Sequence, residues 1–323
     1  MNIGMIRAAA DRLAGNIVET PLLFSPLIDD IARRRVLVKA EAAQVTGSFK
    51  ARGGWAAVSA LPEASRRAGI IAYSSGNHAQ GVARAAAAFG APAVIVMPAD
   101  APEAKIAGTK ALGAEVVLYD RASESREEIG AAISAERGLT LIRPYDEPEV
   151  IAGQGTTGLE IARQAAALGV TEAEVLVCCG GGGLTSGIAL ALEAEAPGMR
   201  VRPVEPEGFD DVTRSLAAGA IARNARLSGS VCDAILTPQP GEITFPIMAR
   251  LCGPGLVVSD AEARRAVALA FRHLNLVVEP GGAVALAAAL FHPDEIADGP
   301  VIVTASGGNI DTDMMIDILK DTA

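Results

Sequence analysis

The chain has 323 residues, of which half are hydrophobic and only 3% are aromatic, and it carries a formal net charge of −10. That length allows one large α/β unit or two medium domains. The acidic balance and the few aromatic residues argue against a nucleic-acid-binding surface, which would need a basic stripe or exposed rings. The first ten residues lack a signal-peptide pattern, and the longest uncharged apolar run is too short to cross a bilayer. We therefore expect a cytoplasmic protein that binds neither nucleic acid nor membrane.

Apolar, β-rich runs alternate with Ala-rich helical patterns from about residue 69 onward. Strands are predicted at residues 69–75, 92–98, 114–120 and 139–144, and helices at 81–89, 101–112 and 123–135. Three later strands are predicted at residues 174–180, 200–207 and 300–305. Alternation of this kind predicts βαβ units and parallel sheets.

The predicted fold class is α/β, with two open, mostly parallel-sheet domains. Residues 54–146 would form a small mobile domain. Residues 1–53 and 147–323 would form a large domain, in which the N-terminal segment and the last strand join the second sheet. A cleft between two such domains is a usual place for a small-molecule site.

Lys50 lies in a Gly- and Ser-containing segment, residues 46–54. A reachable amine with a lowered pKa can bind a carbonyl compound as a Schiff base. Most loop lysines are simply solvated, so this segment alone leaves both interpretations open.

Four consecutive glycines, Gly180 to Gly183, stand between a predicted strand and a predicted helix. Several backbone N–H groups can converge there on an anion at the positive end of the helix. No Lys follows the last glycine, and the spacing does not fit a dinucleotide fingerprint. A tight turn is the alternative, but four glycines are costly in chain entropy, which favours an isolated phosphate site.

Two further segments follow predicted strands. Residues 74–78, with the sequence Ser-Ser-Gly-Asn-His, would place a serine cap and free N–H groups at a helix start, where a carboxylate fits. An ordinary N-cap with a packed histidine is the alternative. Residues 306–309, Ser-Gly-Gly-Asn, would emerge at the carboxyl end of a strand, where open α/β sheets bind ligands.

These segments together resemble the fold-type II pyridoxal-phosphate enzymes, in the branch of the serine racemases, threonine or serine dehydratases and 3-hydroxyaspartate dehydratases. Residues 149–156 and 279–283 extend the likeness, which covers nearly the whole chain in the expected order. The resemblance implies that Lys50 carries pyridoxal 5′-phosphate and later acts as the base on the Cα proton. Phe49 would lie against the cofactor ring, and Asn77 would hydrogen-bond its 3′-oxygen. The phosphate would be held by the amides of Gly180, Gly181, Gly182, Gly183 and Leu184.

The resemblance also places Ser306 opposite the pyridine nitrogen. A hydroxyl cannot keep that nitrogen protonated as a carboxylate would, so the ring is a weaker electron sink. Prompt loss of a β-leaving group is then favoured over transamination.

The substrate carboxylate would be bound in the loop of residues 74–78, by Ser74, Ser75, Gly76, Asn77 and His78. Ser75 matches a serine that, in racemases of the family, is a second acid/base on the opposite face. A racemase side activity is therefore expected, with carboxylate binding alone as the alternative.

An acidic segment, residues 205–211, resembles the divalent-cation site of the family. Its ligands would be Glu205, the carbonyl of Phe209, and Asp211. Hard oxygen ligands suit Mg²⁺, with Ca²⁺ or Mn²⁺ as alternatives. A solvated acidic loop is the other interpretation.

Substrate choice depends on two arginines. Arg126 matches a family arginine that reaches toward the substrate side chain, and Arg143 stands just before Pro144, where an arginine is unusual in the family. Two guanidinium groups would favour a second carboxylate, because Arg binds carboxylates through paired hydrogen bonds. Surface pairing of Arg143 with Asp146 or Glu147 is the alternative.

The sequence thus predicts a lyase that eliminates water from 3-hydroxyaspartate, giving iminosuccinate or oxaloacetate with ammonia. An L-threonine or L-serine dehydratase and a serine racemase are alternatives. A β-replacement enzyme, disfavoured because His78 follows Asn77, and a non-enzymatic effector-binding protein are the less favoured alternatives. Gln239 is placed near the substrate, and a homodimer is expected from the family.

Overall fold

Two parallel sheets organise the chain. The computed structural model describes residues 1–74, 76–101, 103–120 and 123–321. Within these ranges the strands are β1 (Leu22–Leu23), β2 (Val36–Lys39), β3 (Ile70–Tyr73), β4 (Ala93–Pro98), β5 (Glu115–Tyr119), β6 (Thr140–Ile142), β7 (Ala173–Cys178), β8 (Met199–Pro206), β9 (Leu256–Val258) and β10 (Val301–Thr304).

The larger sheet has the strand order β1-β2-β10-β7-β8-β9, and the smaller has the order β5-β4-β3-β6. Every strand pair is parallel except β1 with β2. The N-terminal strand β2 pairs with the C-terminal strand β10, so both ends of the sequence join the larger sheet, as predicted.

Helices surround both sheets. They are α1 (Ile3–Leu13), α2 (Pro26–Ala32), α3 (Lys50–Ala60), α4 (Glu63–Ala68), α5 (Asn77–Ala88), α6 (Glu103–Ala111), α7 (Arg126–Arg137), α8 (Pro148–Ala167), α9 (Gly183–Glu195), α10 (Asp211–Ala218), α11 (Thr244–Leu251), α12 (Asp260–Leu274), α13 (Pro280–Phe291) and α14 (Thr312–Asp321). No helix in the described ranges is long and apolar enough to cross a membrane.

The central strands are buried on both faces, which explains why they appear in the sequence as continuous apolar runs. All six residues of β4 are buried, as are all four of β10. Small residues let helices approach one another closely: a Cβ on Gly187 of α9 would lie 2.6 Å from the backbone nitrogen of Gly155 on α8.

The predicted α/β class and the two mostly parallel sheets are confirmed. The seven predicted strands are present, each with bounds within two residues of the prediction. The helix predicted at 81–89 begins earlier, at Asn77. The predicted serine cap is wrong, because the N-cap residue is Gly76, which has no side chain to accept a hydrogen bond. The domain bounds at 53/54 and 146/147 stay a prediction.

A buried charge network holds the start of α3 against the larger sheet. Arg52, which is fully buried, forms ion pairs with Glu41 at 2.8 Å and with Glu160 at 2.6 Å. Glu160 also pairs with the buried Lys39. Two positive and two negative side chains therefore compensate one another's charge in a buried region, where water does not solvate them. The network fixes the helix that Lys50 begins.

Candidate active site

A cleft with an empty volume of about 810 Å³ lies at the carboxyl ends of strands from both sheets. Predicted site residues that line it are Phe49, Lys50, Ser74, Gly76, Asn77, His78, Arg126, Gly180, Gly181, Gly182, Gly183 and Leu184. Arg143, Gln239, Ser306 and the predicted metal ligands are not among the lining residues. Ser75 lies outside the described residues.

Lys50 has the environment of a reactive amine. Its Nζ donates a hydrogen bond to the Pro144 carbonyl at 2.6 Å and lies 5.0 Å from the centroid of the Phe49 ring. Burial, and then the nearby charge of Arg126, lower the pKa of Lys50 from 10.5 to about 7. A substantial fraction of the amine is therefore neutral near neutral pH, as a nucleophile or base must be.

The glycine segment connects β7 to the N-terminus of α9. Gly182 has a φ of 91°, a left-handed conformation that favours glycine. In the described part of the chain, the amides of Gly180 to Leu184 donate to no other protein group. Free amides at the start of a 13-residue helix suit a phosphate.

The Asn77 side chain is fixed from two directions. Its Nδ2 donates to Glu279 Oε1 at 2.6 Å, and its Oδ1 accepts from Asn309 Nδ2 at 2.7 Å. The second Nδ2 hydrogen remains available to a ligand, which is compatible with the predicted bond to the cofactor's 3′-oxygen. The residue-by-residue reasoning missed Glu279, although it begins the segment 279–283 that extends the resemblance.

Lys105 is a second missed residue. It extends from α6, beside the smaller sheet, to within 3.5 Å of Asp233 Oδ2 and 4.0 Å of Glu279 Oε2. Both carboxylates belong to segments beside the larger sheet. Nothing near Lys105 in the sequence marks it, because its partners are more than a hundred residues away.

His78 is buried, and burial together with the charges of Lys50 and Arg126 lowers its pKa to about 3. The ring is therefore neutral at ordinary pH. Its Nε2 lies 3.2 Å from the Ile142 carbonyl, which assigns the proton to that nitrogen. Nδ1 is then a buried acceptor with no partner among the described residues.

Ser306 follows β10 and is buried. Its backbone carbonyl accepts from the Phe49 amide at 3.1 Å, so Ser306 lies beside the residue that precedes Lys50. Ser306 thus lies at the carboxyl end of β10 in the larger sheet, as the sequence predicted. Its role toward the pyridine nitrogen stays a prediction.

The two arginines lie in different environments. Arg126 lines the cleft with its guanidinium 5.4 Å from the centroid of the Tyr73 ring. Arg143 is exposed. Burial raises the pKa of Tyr73 and of Glu147, and the charge of Arg143 opposes the increase in both. A substrate contact for Arg143 stays a prediction.

Asp146, the other acidic residue near Arg143, is occupied elsewhere. Its carboxylate accepts from the amides of Ile243 and Glu242, at 2.8 and 3.1 Å. It therefore fixes the loop before α11 to the segment that follows β6.

Gln239 is half-buried in the loop before α11. That loop contacts the glycine segment, because the Gly241 amide donates to the Gly181 carbonyl at 3.2 Å. Tyr73 and Tyr145, which the sequence reasoning did not select, both line the cleft.

The predicted metal ligands form a separate buried pair. Glu205 accepts from the amides of Val212 and Thr213, at 2.9 and 2.7 Å. Asp211 accepts from Asn224 through Oδ1, whereas its Oδ2 is buried and has no partner among the described residues. Burial and the charge of Asp211 raise the pKa of Glu205 to about 8, and burial raises that of Asp211 to about 7.

These oxygens fit a hard cation, which would supply the missing partner and compensate two buried negative charges. No cluster of three or more His, Cys, Asp and Glu side chains suited to a metal is found in the described ranges. Any site here therefore needs a backbone carbonyl, such as the predicted one of Phe209.

A buried lysine of lowered pKa and a run of glycine amides line one cleft, as expected of an enzyme that binds a phosphorylated aldehyde covalently. Residues 13–307 match the family described as "Pyridoxal-phosphate dependent enzyme". The chain belongs to this family, it is an enzyme, and pyridoxal phosphate is its cofactor.

Its relatives lie in the predicted branch. An L-threo-3-hydroxyaspartate ammonia-lyase from Pseudomonas sp is 41% identical, over 97% of this chain and 96% of the relative. A serine racemase from Schizosaccharomyces pombe is 39% identical, over 95% and 93%. The solved structure of a T.th. threonine deaminase is 44% identical with a TM-score of 0.90, covering 96% of this chain and 99% of that one. The predicted fold-type II architecture is thereby confirmed.

Proposed function

We propose that this enzyme is an ammonia-lyase that eliminates water from L-threo-3-hydroxyaspartate, giving oxaloacetate and ammonia. The observation that carries the proposal is the Arg126 guanidinium in the same cleft as Lys50, where it can bind a second substrate carboxylate. The activity named for the Pseudomonas relative supports it.

The bound cofactor supplies the electron sink that makes the Cα proton acidic. Lys50, deprotonated above about pH 7, accepts that proton at Nζ. The Cβ–O bond then breaks, and the hydroxyl departs as water with a proton that Lys50 can return. The released enamine tautomerises to iminosuccinate, and water hydrolyses this imine to oxaloacetate and ammonia.

The chain's other residues bind and orient the substrate. The backbone of Asn77 and His78, at the start of the 12-residue helix α5, offers N–H groups to the α-carboxylate. His78 Nδ1 can accept a hydrogen bond without carrying charge. Ser75 stays a candidate for the second acid/base.

The test is a substrate panel in which keto acid and ammonia are measured for hydroxyaspartate, serine and threonine. We expect the highest kcat/KM for hydroxyaspartate, and an Arg126→Gln variant should lose that preference. If wild type forms no keto acid from hydroxyaspartate but does so from serine or threonine, the dehydratase alternative replaces the proposal. The serine racemase relative favours measuring D-serine formation in the same panel.

We also propose that Glu205, Asp211 and the Phe209 carbonyl bind Mg²⁺ or Ca²⁺. The orphaned Asp211 Oδ2 supports this site. Adding either ion after chelation should raise the Tm of wild type, because a ligand that binds only the folded state stabilises it. Asp211→Asn should lose this increase, and Asp313→Asn, an exposed carboxylate elsewhere, should keep it. Equal Tm increases in wild type and Asp211→Asn would argue against the site.

A homodimer is the third proposal. Its support is an exposed apolar surface on and just before α2, formed by Phe24, Leu27 and Ile31.

A further inference from the structure

A second carboxylate on the substrate can accept more hydrogen bonds than one arginine donates. A guanidinium can donate one hydrogen bond to each carboxylate oxygen, and each oxygen keeps a further lone pair for another donor. Arg143 is exposed and does not line the cleft. Arg126 pairs through Nε with Glu127 at 2.8 Å, and two tyrosines line the cleft with it.

Tyr73 supports Arg126 from beneath. It is the last residue of β3, only 6% exposed, and its ring centroid lies 5.4 Å from the Arg126 guanidinium carbon. The same ring contacts α7, because a Cβ on Gly130 would lie 3.1 Å from Tyr73 Cδ1. An aromatic face beneath a guanidinium attracts it and restricts where it can lie.

Tyr145 forms the facing wall. It directly follows Pro144, the residue whose carbonyl accepts from Lys50. Its ring lies on the glycine segment, since a Cβ on Gly181 would be 2.2 Å from Tyr145 Cδ2. Tyr145 thus lies between Lys50 and the glycine segment, on the cleft surface that Arg126 also lines.

The Tyr145 hydroxyl is suited to donate. Burial raises its pKa to about 12, although the charge of Arg126 opposes the increase. The phenol therefore keeps its proton throughout the neutral range in which a carboxylate substrate is ionised. No hydrogen bond within the described protein uses this hydroxyl.

We propose that Tyr145 is a specificity-determining residue, whose hydroxyl donates to the substrate's side-chain carboxylate while Arg126 pairs with it, and that Tyr73 is a positioning residue for Arg126. This inference rests on the proposed function, because only a dicarboxylic substrate has that group. The pair with Glu127 uses Nε, so the two terminal nitrogens of Arg126 stay available for this carboxylate.

The variant Tyr145→Phe keeps the ring on the glycine segment and removes only the donor. Because a hydrogen bond to a charged group contributes about 1.5–3 kcal/mol, we expect KM for hydroxyaspartate to rise about 10- to 100-fold. KM for serine, which has no second carboxylate, should change less than about twofold. Cofactor binding, measured by titration of the apoprotein, should stay as in wild type.

A matched pair of variants tests Tyr73. Tyr73→Phe keeps the aromatic face and should keep the preference for hydroxyaspartate over serine. Tyr73→Leu removes that face and should lose most of the preference. If Phe and Leu behave alike at this position, the positioning role of the ring is wrong.

Binding of unreactive analogues separates the inference from the proposed function. 2-Methylaspartate and 2-methylserine both lack the Cα proton. Only 2-methylaspartate has a side-chain carboxylate. Wild type should bind 2-methylaspartate more tightly, and Tyr145→Phe should reduce that advantage about tenfold or more. An unchanged advantage in Tyr145→Phe, in an enzyme that does convert hydroxyaspartate, overturns the inference alone. Failure of wild type to convert hydroxyaspartate overturns the proposed function.

Discussion

Lys50 shows how a single side chain acquires reactivity from its surroundings. A solvated lysine has a pKa near 10.5, so almost none of it is neutral at pH 7. Burial at the start of α3 and the positive charge of Arg126 lower the pKa of Lys50 to about 7. Arg126 therefore influences the amine as well as the substrate carboxylate that we propose it binds.

The pH dependence of cofactor attachment follows from this lowered pKa. Only the neutral amine attacks the aldehyde, so attachment to the apoprotein should accelerate as pH rises through about 7 and then level off. Arg126→Gln removes a charge that lowers the pKa of Lys50, so the midpoint should move to higher pH. Stopped-flow absorbance after adding pyridoxal phosphate measures the rate.

The matched control is Arg137→Gln, an arginine at the other end of the same helix that pairs with Glu115. It should leave the midpoint in place. Equal midpoints in wild type and Arg126→Gln would show that Arg126 does not influence the amine.

At the scale of elements, the start of α3 depends on the buried charge network. Burial raises the pKa of Glu41, but the charge and hydrogen bonds of Arg52 outweigh it, and the pKa lies below its usual value. A lowered carboxylate pKa stabilises the fold above the unfolded value of 4.5, and that stability is lost as pH falls through the folded pKa.

Arg52→Met should therefore destabilise the protein strongly, by about 3–5 kcal/mol in the free energy of unfolding, because Glu41 stays buried with its main partner removed. Arg67→Met, which breaks an exposed pair with Glu63, should cost less than about 1 kcal/mol. Urea denaturation of both apoproteins at pH 7 makes the comparison. Similar costs for the two variants would contradict a special role for the network.

The elements themselves were largely predictable, for a physical reason. Strands such as β3 and β4 are continuous apolar runs bounded by polar or small residues, so their location is visible locally. The short edge strands β1 and β9 have two and three residues, which is too little pattern to recognise. The helix α5 begins earlier than its apolar spacing suggests, because its first two residues, Asn77 and His78, are polar and line the cleft.

Some residues of the site were predictable from local sequence and others were not. The glycine segment and the neighbourhood of Lys50 are local in sequence, so their motifs could be read directly. Tyr73, Tyr145, Lys105 and Glu279 belong to the site only because separate elements converge there. Spacing cannot reveal such pairs, since Asn77 and Glu279 are separated by 202 positions.

At the scale of the whole molecule, the exposed apolar surface of Phe24, Leu27 and Ile31 predicts self-association. Leu27 is 55% exposed and lies four residues before Ile31, on one face of α2. Leu27→Glu should convert the proposed dimer to a monomer, because a charge cannot be buried there without a partner. Sedimentation velocity gives the mass in solution.

Leu118→Glu is the matched control, since Leu118 is 49% exposed on β5, at the edge of the smaller sheet. It should leave the oligomeric state of wild type unchanged. A wild-type monomer, or a Leu27→Glu dimer, would contradict the proposed surface.

The contact of Tyr145 with Gly181 has a consequence for enzyme engineering. The Tyr145 ring borders both the proposed substrate site and the glycine segment. A smaller side chain at position 145 therefore opens a void directly against the backbone that is predicted to hold the phosphate. A variant selected for bulkier substrates by shrinking Tyr145 should therefore also bind its cofactor less well. Libraries that vary positions 145 and 181 together, allowing Ala or Ser to fill the space beside the backbone, should recover both properties where single-site libraries cannot.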